Sequence, residues 1–469
     1  MVGGMFHTLV SRSIWAGTLG VGAFVLLSVP SFGGEPTKAS TNNPVTFSKD
    51  VARIFQDKCQ DCHRKDSMAP MSLVTYEETR PWARSIKERV VQHQMPPWHL
   101  DHSVGIQSFQ NDASLSDEQI ATIVKWVDSG APQGDPKDMP APKQWPDDTS
   151  WRLEKVFNRP PDMIIKSTDY VMPAVSQDQW WKPVVDLGMK DERWVRAVEM
   201  RPGTTAGRKI THHALAHLIQ DESDQKAKES DETGQGGVLM EWAVGKTYDI
   251  YRPNTGKLLE PGAKVWWDIH YHAVGEKITD HVELAVWLYP KEEKPKYRTY
   301  LTGFQATPGG HLDIPPNTVA VTQGFHTLKE PAILANFQPH MHLRGKAMLL
   351  EAILPDGTTE TISYVNNFNF NWMNNYIYTD EAAPEFPKGT IIHTTAWHDN
   401  TTAKSSNPDP NQWVGWGDRT VDEMAHAWVN VTYISQEDYD AWAKVHRPAK
   451  GKAGAQTAAA TATGTGTTQ

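Results

Sequence analysis

The sequence predicts an all-α N-terminal domain followed by two all-β domains. Three observations support this fold class. Apolar residues recur at helical spacing between residues 45 and 134, whereas apolar and polar residues alternate with period two in later segments such as 265–271. A proline-rich stretch separates the two patterns. The length of 469 residues is enough for about three domains of roughly 150 residues each.

The N-terminal segment, 45–134, contains three predicted helices. The first follows Ser48, which is suited to cap it. The second spans 80–92 and has Pro81 at its start. The third begins at the capping pattern Ser116-Asp-Glu-Gln119 and ends at Gly130. Together these helices predict a small all-α domain.

The later segments predict β-sandwiches. The stretch 135–161 is rich in proline and predicts a semi-rigid surface linker. Short strands separated by Pro and Gly turns then follow, over more residues than one small sandwich needs. We therefore predict an N-terminal β domain over 162–296 and a C-terminal β domain over 297–447. The Ala/Thr/Gly-rich tail, 448–469, is predicted to be disordered.

The N-terminus, 1–33, has the pattern of a secretory signal peptide. Arg12 ends a polar region, an apolar run follows over 14–29, and small residues come next. The alternative is an uncleaved membrane anchor, but the run is short and contains glycine. We expect a bacterial periplasmic or secreted protein with no membrane span in the mature chain. The formal net charge of −10 argues against a nucleic-acid partner.

The only cysteines, Cys59 and Cys62, stand directly before His63. Two cysteines exclude a disulfide-rich scaffold. Cys-x-x-Cys-His is the motif of covalent c-type haem attachment, in which the thiols form thioethers and the histidine ligates iron. A redox dithiol or half of a zinc site is the alternative, but a redox motif favours a βαβ context and zinc needs further ligands. One covalent haem is the prediction.

The sixth iron ligand is expected from the residues that follow the motif. The segment resembles small class I cytochromes c, in which a Met-Pro loop precedes the C-terminal helix. That resemblance implies Met95, which is followed by two prolines. A methionine ligand raises the reduction potential of a haem. The alternatives are Met68, Met71, His93 and His99.

Histidines cluster in the β region, which indicates metal binding. The clusters are His212-His213 with His217, His270 with His272, His340 with His342, and the scattered set His393, His398 and His426. Residues i and i+2 of a strand face the same side, so His340 and His342 can bind one metal. Adjacent His212 and His213 need a bulge or a strong twist to do so. Imidazoles suit copper, zinc, iron or nickel, and an added thioether favours cuprous copper.

Four ordered motifs resemble those of the copper type II, ascorbate-dependent monooxygenases, a family that includes dopamine β-monooxygenase and peptidylglycine α-hydroxylating monooxygenase. The motifs are Thr211-His-His-Ala-Leu215, Trp267-Asp-Ile-His-Tyr-His272, Gln338-Pro-His-Met-His-Leu-Arg-Gly345 and Asp422-Glu-Met424. The likeness covers roughly residues 162–433. It implies two tandem jelly-roll domains with one copper on each, separated by a solvent-filled cleft.

The resemblance also implies the copper ligands and the reaction. The electron-receiving copper would be held by His212, His213 and His270. The oxygen-activating copper would be held by His340, His342 and Met424, and the reaction would be hydroxylation of a substrate C–H bond with O₂. The remaining histidines, His217, His272, His393, His398 and His426, are expected to be neighbours of the ligands, pocket lining or surface residues.

The chain is therefore predicted to be an exported haem- and copper-containing monooxygenase that acts on a small molecule. The haem would relay electrons from a periplasmic donor to the coppers. The alternative is a periplasmic electron-transfer or copper-binding protein without oxygenase activity, and a hydrolytic zinc site is a weaker third interpretation. The peptide-amidating branch has a substrate-binding Arg where this chain has Gln338, and an Asn and a Tyr where it has His426 and Trp428. These differences argue against peptidylglycine as the substrate.

Overall fold

Strands dominate the structure, and the helices are few and short. The computed structural model describes residues 44–65, 67, 69–145, 150–224, 237–307 and 311–447. The predicted signal peptide, the predicted tail and Met68 lie outside these residues. Strand accounts for 36% and helix for 17% of the chain, so the molecule is a β protein with a small helical region near its N-terminus.

The helical region has a small core of its own. Its elements are a π-helical turn Phe47–Val51, α1 Ala52–Lys58, α2 Tyr76–Thr79, a 3₁₀ turn Arg80–Trp82, α3 Ala83–Val91 and α4 Asp117–Asp128. The capping box predicted for α4 is present, because the side chains of Ser116 and Gln119 each accept the other's backbone N–H. Phe47, Phe55 and Trp126 lie at the centre of the core.

The residues between α3 and α4 leave this core and pack on the C-terminal β region. We call residues 97–112 the strap. Trp98 and Leu100 are 6% and 3% exposed and belong to the hydrophobic core of that β region. The backbone N–H of Asp101 donates to the carbonyl of Tyr364 at 2.8 Å, and the strap continues beside Ile362. The strap is therefore part of the β structure.

The predicted fold class of an all-α cytochrome c domain followed by tandem jelly rolls is wrong. The helices of 45–134 are too few and too short to form a clear all-α domain. Helical periodicity reports only local structure, whereas the strap, which belongs to the β core, lies between two of these helices. Part of the predicted linker is also packed. Trp151 and Leu153, at the N-cap and in the first turn of the helix Arg152–Phe157, are buried against Trp287.

The first β region combines two sets of strands around one core. Its elements are α5 Arg152–Phe157, β1 Met163–Lys166, β2 Tyr170–Met172, β3 Gln179–Trp181, β4 Val184–Asp186, β5 Arg193–Pro202, α6 Gly207–Ile210, β6 Thr211–Ile219, β7 Gly237–Ala243, β8 Tyr248–Ile250, β9 Thr255–Leu259, β10 Lys264–Tyr271, β11 Ile278–Asp280 and β12 Val282–Leu288. Strands β1, β12, β5, β8 and β9 form one set, and β7, β6, β10, β3 and β4 the other. Apolar side chains such as Met200 and Trp267 share the core.

The second β region is built in a similar way. Its elements are β13 Tyr297–Gln305, β14 Asp313–Ile314, β15 Val319–Thr327, β16 Ala332–Leu334, β17 Asn336–His340, β18 Gly345–Ile353, β19 Thr359–Val365, β20 Tyr376–Ile377, β21 Glu385–Phe386, β22 Ile391–Asp399, β23 Val414–Gly415, β24 His426–Tyr433 and α7 Gln436–His446. Strands β15, β22, β18 and β19 form one sheet. Strand β24 pairs with β13, β16 and β17.

Strand β13 joins the two β regions into one sheet. Leu301 pairs with Val238 of β7 on one side and with Asn430 of β24 on the other. The predicted boundary at 296/297 thus falls at a strand shared by both regions. This continuity brings β6 close to β17 and β24. These three strands carry most of the clustered histidines.

The helices that the structure describes include none with the length and apolar character needed to cross a membrane.

Candidate metal centre

The first histidine group consists of His212, His213 and His270. His213 on β6 lies directly opposite His270 on β10, and the pairing then skips His212, so that Thr211 faces Tyr271. This register shift is a β-bulge, the device that two adjacent histidines need in order to face one site. The folded chain therefore brings together all three residues that the sequence proposed for the first copper.

The geometry of this group is that of a three-imidazole metal site. Each ring offers a nitrogen within 4.8 Å of the other two. The Nδ1 atoms of His212 and His213 are 3.1 Å apart, and the three ring centroids are separated by 4.9 to 5.3 Å. Two imidazole nitrogens bound ~2.0–2.1 Å from one ion lie roughly 3–4 Å apart, a range that includes the separation of the two Nδ1 atoms.

Two residues that the sequence analysis missed orient His270. The Nε2 atom of His270 lies 3.0 Å from Oδ2 of Asp178, and neither buried ring nitrogen makes a hydrogen bond of good geometry among the described residues. The indole of Trp180 stacks on the imidazole at 4.6 Å. A carboxylate on one ring nitrogen fixes the tautomer and directs the other nitrogen to a metal. Asp178 also contacts His272, which is largely exposed and lies at the edge of the group.

The second histidine group consists of His340, His342 and His426. His340 ends β17 and His342 follows in the next turn, with ring centroids 5.4 Å apart. The Nδ1 atom of His342 lies 3.1 Å from the carbonyl of Asp422, which fixes that ring against the segment before β24. His340 is buried, and its Nδ1 has no hydrogen-bond partner in the described part of the chain.

The buried carboxylate of Glu423 holds the turn that carries His342. Its two oxygens accept the backbone N–H groups of His342 at 2.9 Å and of Arg344 at 2.6 Å. Burial raises the pKa of Glu423 to about 8, and the two backbone hydrogen bonds oppose that rise. The Asp-Glu-Met segment is thus anchored to the His-x-His turn, although the two are about eighty residues apart in sequence.

Met424 lies on this anchored segment and is partly buried. Its carbonyl accepts a hydrogen bond from Nε2 of His398 at 3.1 Å. His398 is fully buried, and its Nε2 also lies 3.6 Å from a carboxylate oxygen of Glu423. Its ring therefore contacts the segment at two points. The backbone carbonyl of Met424 and the preceding residue, Glu423, are therefore held in place beside the turn that carries His342.

His426 is the histidine whose position the sequence analysis did not recognise. It begins β24 and lies directly opposite His340 of β17. The two rings are nearly parallel, with centroids 4.6 Å apart. The only sequence signal is its spacing of two from Met424 at the start of a strand.

The two histidine groups lie side by side at the junction of the β regions. The centroids of His213 and His340 are 6.2 Å apart. Phe370 stacks on His212 at 4.7 Å and lies edge-on to His342 at 6.0 Å, which places one aromatic ring against both groups. The solvent-filled cleft expected between the sites is not found between these rings.

The imidazoles of both groups are neutral in this environment. Burial lowers the pKa of His212 and that of His426 to about 3. Burial and the neighbouring imidazoles also lower the pKa values of His213 and His340 well below the ordinary value. Because a metal binds the neutral form of imidazole, this burial prepares the rings for ligation.

The predicted haem-binding residues lie in the helical region. Cys59 and Cys62 are partly buried and are not joined by a disulfide. The Nδ1 atom of His63 lies 3.2 Å from the carbonyl of Met71, so its Nε2 is left for another partner. Burial lowers the pKa of His63.

The candidates for the sixth iron ligand differ in their surroundings. Met95 lies in the turn after α3, directly before the strap, and is partly buried. His93 is exposed, whereas His99 is buried in the strap, and burial lowers its pKa to about 4. Met71 packs against the helical core.

The other histidines lie outside the two groups. His217 is buried beside the ring of Trp266, at a centroid distance of 4.6 Å. His393 contacts Glu351 at 3.2 Å and stacks on Phe325. These contacts fit the expectation that both are neighbours or surface residues.

Comparisons with known proteins identify no family. No family model matches the chain, and no curated protein matches it. Among solved structures, that of infectious bursal disease virus, Gx strain, shows 11% identity and a TM-score of 0.16 over 58% of this chain and 74% of that one. The T13 particle of the same virus shows 11% identity and a TM-score of 0.17, over 59% and 71%. Both TM-scores are below 0.5, so neither match identifies the fold.

Proposed function

We propose that this protein is an exported copper- and haem-dependent monooxygenase that hydroxylates a C–H bond of a small molecule with O₂. The observation that carries the proposal is the convergence of the first and second histidine groups, with the Met424 segment, at one buried junction. These are the residues of the four motifs that resemble the copper type II monooxygenases.

The donor set suits copper. The first group offers three neutral imidazoles, and the second offers neutral imidazoles on a turn that is anchored to the segment carrying Met424. Imidazole with thioether selects copper over magnesium, calcium or manganese. Among the described residues, both ring nitrogens of His270 and the Nδ1 of His340 are buried without a hydrogen-bond partner, which also supports metal binding, since such atoms are costly without a ligand. Copper supplies one-electron redox chemistry and activation of O₂.

The chain's own residues would hold and orient these ligands. Asp178 would orient the ring of His270. Glu423 holds the backbone turn that carries His342 through two hydrogen bonds. The near-complete burial of His270, His340 and His342 excludes water from their rings. A rigid, dry ligand set keeps the coordination geometry constant between oxidation states.

Gln338 supports a substrate without a carboxylate anchor at this position. Its amide nitrogen donates to the carboxylate of Glu241 on β7 at 2.6 Å, and both side chains are buried. This side chain is therefore engaged with the first β region, where the peptide-amidating branch would use an Arg to bind substrate.

The helical region would carry one covalent haem, bound through Cys59 and Cys62 with His63 as an iron ligand. Two neighbouring cysteines that form no disulfide and a histidine whose Nδ1 contacts the Met71 carbonyl support this assignment. When the ring nitrogen that does not bind iron contacts a carbonyl, that contact fixes the orientation of the ligating histidine. Haem supplies one-electron transfer, and Met95 is the proposed sixth ligand.

The strap supports an electron relay inside the chain. It begins two residues after Met95, and Trp98 lies edge-on to Tyr376 at 4.7 Å. Tyr376 in turn lies 6.3 Å from Phe337, three residues before His340 on β17. A donor held on the same chain acts at a high effective concentration, so electrons from a periplasmic donor would reach the histidine groups within one molecule.

Metal analysis of haem-matured protein tests the proposal. We expect two coppers and one haem per chain, and oxygen consumption with a C–H substrate that requires both metals. Fewer than two coppers would contradict the two-site mechanism. Copper and haem without oxygen consumption over a broad substrate panel would favour the alternative, an electron-transfer or copper-binding protein.

Stopped-flow mixing of reduced haem protein with O₂ tests the relay. We expect the haem to re-oxidise faster with copper bound than without it, and more slowly in Trp98→Leu than in the matched Trp98→Phe. Equal rates with and without copper would contradict the relay.

A further inference from the structure

Thr420 connects the second β region to the carboxylate that supports the first histidine group. It lies in the segment before β24, and its hydroxyl donates a hydrogen bond to Oδ2 of Asp178 at 3.0 Å. The same oxygen lies 3.0 Å from Nε2 of His270. One carboxylate oxygen therefore contacts both the hydroxyl and the imidazole, although Thr420 and Asp178 are 242 residues apart in sequence.

The contacts of Asp178 show what this hydroxyl adds. Among the described residues, its carboxylate contacts His270, His272 and Thr420, and the ring of His272 is 61% exposed. The two histidines are the rings that Asp178 would orient, so a third contact is needed to hold the carboxylate itself. The terminal torsion of an aspartate side chain is broad, so the carboxylate plane turns easily when no donor restrains it. A hydroxyl that donates to Oδ2 restricts this rotation and keeps that oxygen facing His270.

The backbone around Thr420 presents its hydroxyl from a fixed position. The backbone N–H of Asp422 donates to the carbonyl of Arg419 at 2.9 Å, which closes a turn with Thr420 inside it. The guanidinium of Arg419 also donates to both carboxylate oxygens of Asp422, at 2.7 and 2.8 Å. The next residue, Glu423, is buried and accepts the backbone N–H of His342. The turn is therefore tied to the core of the second β region.

We propose that Thr420 is a positioning residue of the first site. Its hydroxyl orients the carboxylate of Asp178, which in turn orients the imidazole of His270 toward the metal. The inference rests on the proposed function, because it assumes that the first group binds copper. It adds to that function a dependence of the first site on a residue of the second β region, so that the site is complete only when the two regions are packed together.

The test requires a protein in which copper binding reports on the first group alone. Full-length protein with His340→Phe serves as this reference, since the substitution removes a proposed ligand of the second group and keeps a ring against His426. His340 makes no contact with the turn that carries Thr420 among the described contacts of its ring, which are those with His213, His342 and His426. Copper affinity is measured by competition with a chelator of known affinity.

Three substitutions in the reference protein separate the hydroxyl from the rest of the side chain. Thr420→Val removes the hydroxyl and keeps the branched shape, and it should weaken copper binding by about 3- to 10-fold, less than a change at Asp178 itself. Thr420→Ser keeps the hydroxyl and should stay within about 2-fold of the reference. Thr401→Val, which removes a hydroxyl that donates to Asp399 at 2.6 Å, is the matched control and should not change the affinity.

A double-mutant cycle and a spectroscopic signature distinguish positioning from a general structural role. In Asp178→Ala the carboxylate is gone, so adding Thr420→Val should cause little further loss of affinity if the hydroxyl acts through Asp178. The Cu(II) EPR hyperfine splitting should shift in Thr420→Val in the same direction as in Asp178→Ala. It should keep the reference value in Thr420→Ser.

The outcomes separate this inference from the proposed function. An unchanged affinity in Thr420→Val, an equal loss in Thr420→Ser, or a full additional loss on top of Asp178→Ala overturns the positioning role while the proposed function stands. Copper binding that responds to Thr420 as expected, in a protein that consumes no oxygen with any C–H substrate, supports the positioning role and overturns the proposed function. Protein that binds no copper at the first group overturns both.

Discussion

In the first histidine group, His213 and His270 face each other across β6 and β10, and in the second, His340 and His426 face each other across β17 and β24. Each pair is completed by a neighbouring histidine that lies off the regular register. For the first group this is His212 at the bulge, and for the second it is His342 in the turn after β17. Each group thus combines a cross-strand pair of histidines with one displaced histidine.

The two groups differ in what supports them. Asp178 contacts the ring of His270 directly and is partly exposed, whereas Glu423 is fully buried and holds the backbone of His342. In the first group the carboxylate therefore orients a histidine ring directly. In the second group the carboxylate holds the backbone of the turn that carries a histidine. Loss of the first should weaken metal binding, and loss of the second should weaken the fold.

The largest expected effects come from removing a ligand in each group. His270→Phe keeps a ring for stacking on Trp180, and His342→Phe keeps a ring beside Phe370. Each variant should lose one copper, with affinity at that site lower by at least about 1,000-fold, on the order of 4 kcal/mol. Copper titration with mass spectrometry measures this. Loss of both coppers in either variant would show that the two adjacent groups form one site.

The second largest effect is expected for Glu423→Gln. Glutamine has one oxygen where the carboxylate accepts the N–H groups of both His342 and Arg344, so one buried N–H loses its acceptor. The free energy of unfolding should fall by about 3 kcal/mol. Glu351→Gln, which removes only a contact to His393, is the matched control and should cost less than about 1 kcal/mol. Urea unfolding measures both, and equal losses would contradict the structural role of Glu423.

The sequence predicted the local parts of both sites and missed the parts that depend on long-range pairing. The strands bearing His213, His270 and His340 follow from period-two alternation, and the bulge at His212 follows from two adjacent histidines that must face one way. Asp178 and His426 lack such a signal. Each reaches its site only because a strand pairs with a partner distant in sequence, and local periodicity does not encode that register.

The fold shows the same limit. The helices predicted at 80–92 and after Ser116 lie close to those positions, since capping boxes and helical spacing are local signals. The predicted cap Ser48 is wrong, because Thr46 caps the turn Phe47–Val51 and Ser48 lies within it. The strap was missed because Trp98 and Leu100 sit between helical patterns, and their burial is decided by Tyr376 and its neighbours almost three hundred residues later. The sharing of β13 by both β regions was missed for the same reason.

A smaller effect is expected for Asp178→Asn. The amide has one neutral acceptor oxygen in place of two charged ones, so it holds the His270 ring more weakly, and copper affinity at the first group should fall by about 10- to 100-fold, roughly 2 kcal/mol. Affinity at the second group should stay unchanged, which distinguishes this variant from Glu423→Gln. Asp169→Asn, whose carboxylate contacts only the outlying His281, is the control. An equal loss at both groups would contradict the assignment of Asp178 to the first.

The smallest expected effect is on the pH dependence of stability. One buried residue in each β region contributes to it, and the two contributions have opposite signs. In the first β region, burial lowers the pKa of Lys257 to about 7, and its ammonium donates to the carbonyls of Val238 and Leu239. In the unfolded chain the same side chain has the ordinary lysine pKa of 10.5. Between these values the unfolded chain binds more protons than the folded one, so this lysine makes stability rise with pH above about 7. Glu423, with a raised pKa, makes stability fall as the pH rises toward 8.

Lys257→Met isolates this contribution. The variant lacks the rise in stability that Lys257 causes above about pH 7. Its free energy of unfolding relative to wild type should therefore be greatest at pH 7 and decrease by on the order of 1 kcal/mol toward pH 9. Urea unfolding at these pH values measures the difference. Lys209→Met, on an exposed ion pair with Glu276, is the matched control and should show no such trend. If the difference in the free energy of unfolding between Lys257→Met and wild type does not change with pH, the two carbonyls keep Lys257 charged in the folded protein. The pH dependence of stability would then come from Glu423 alone.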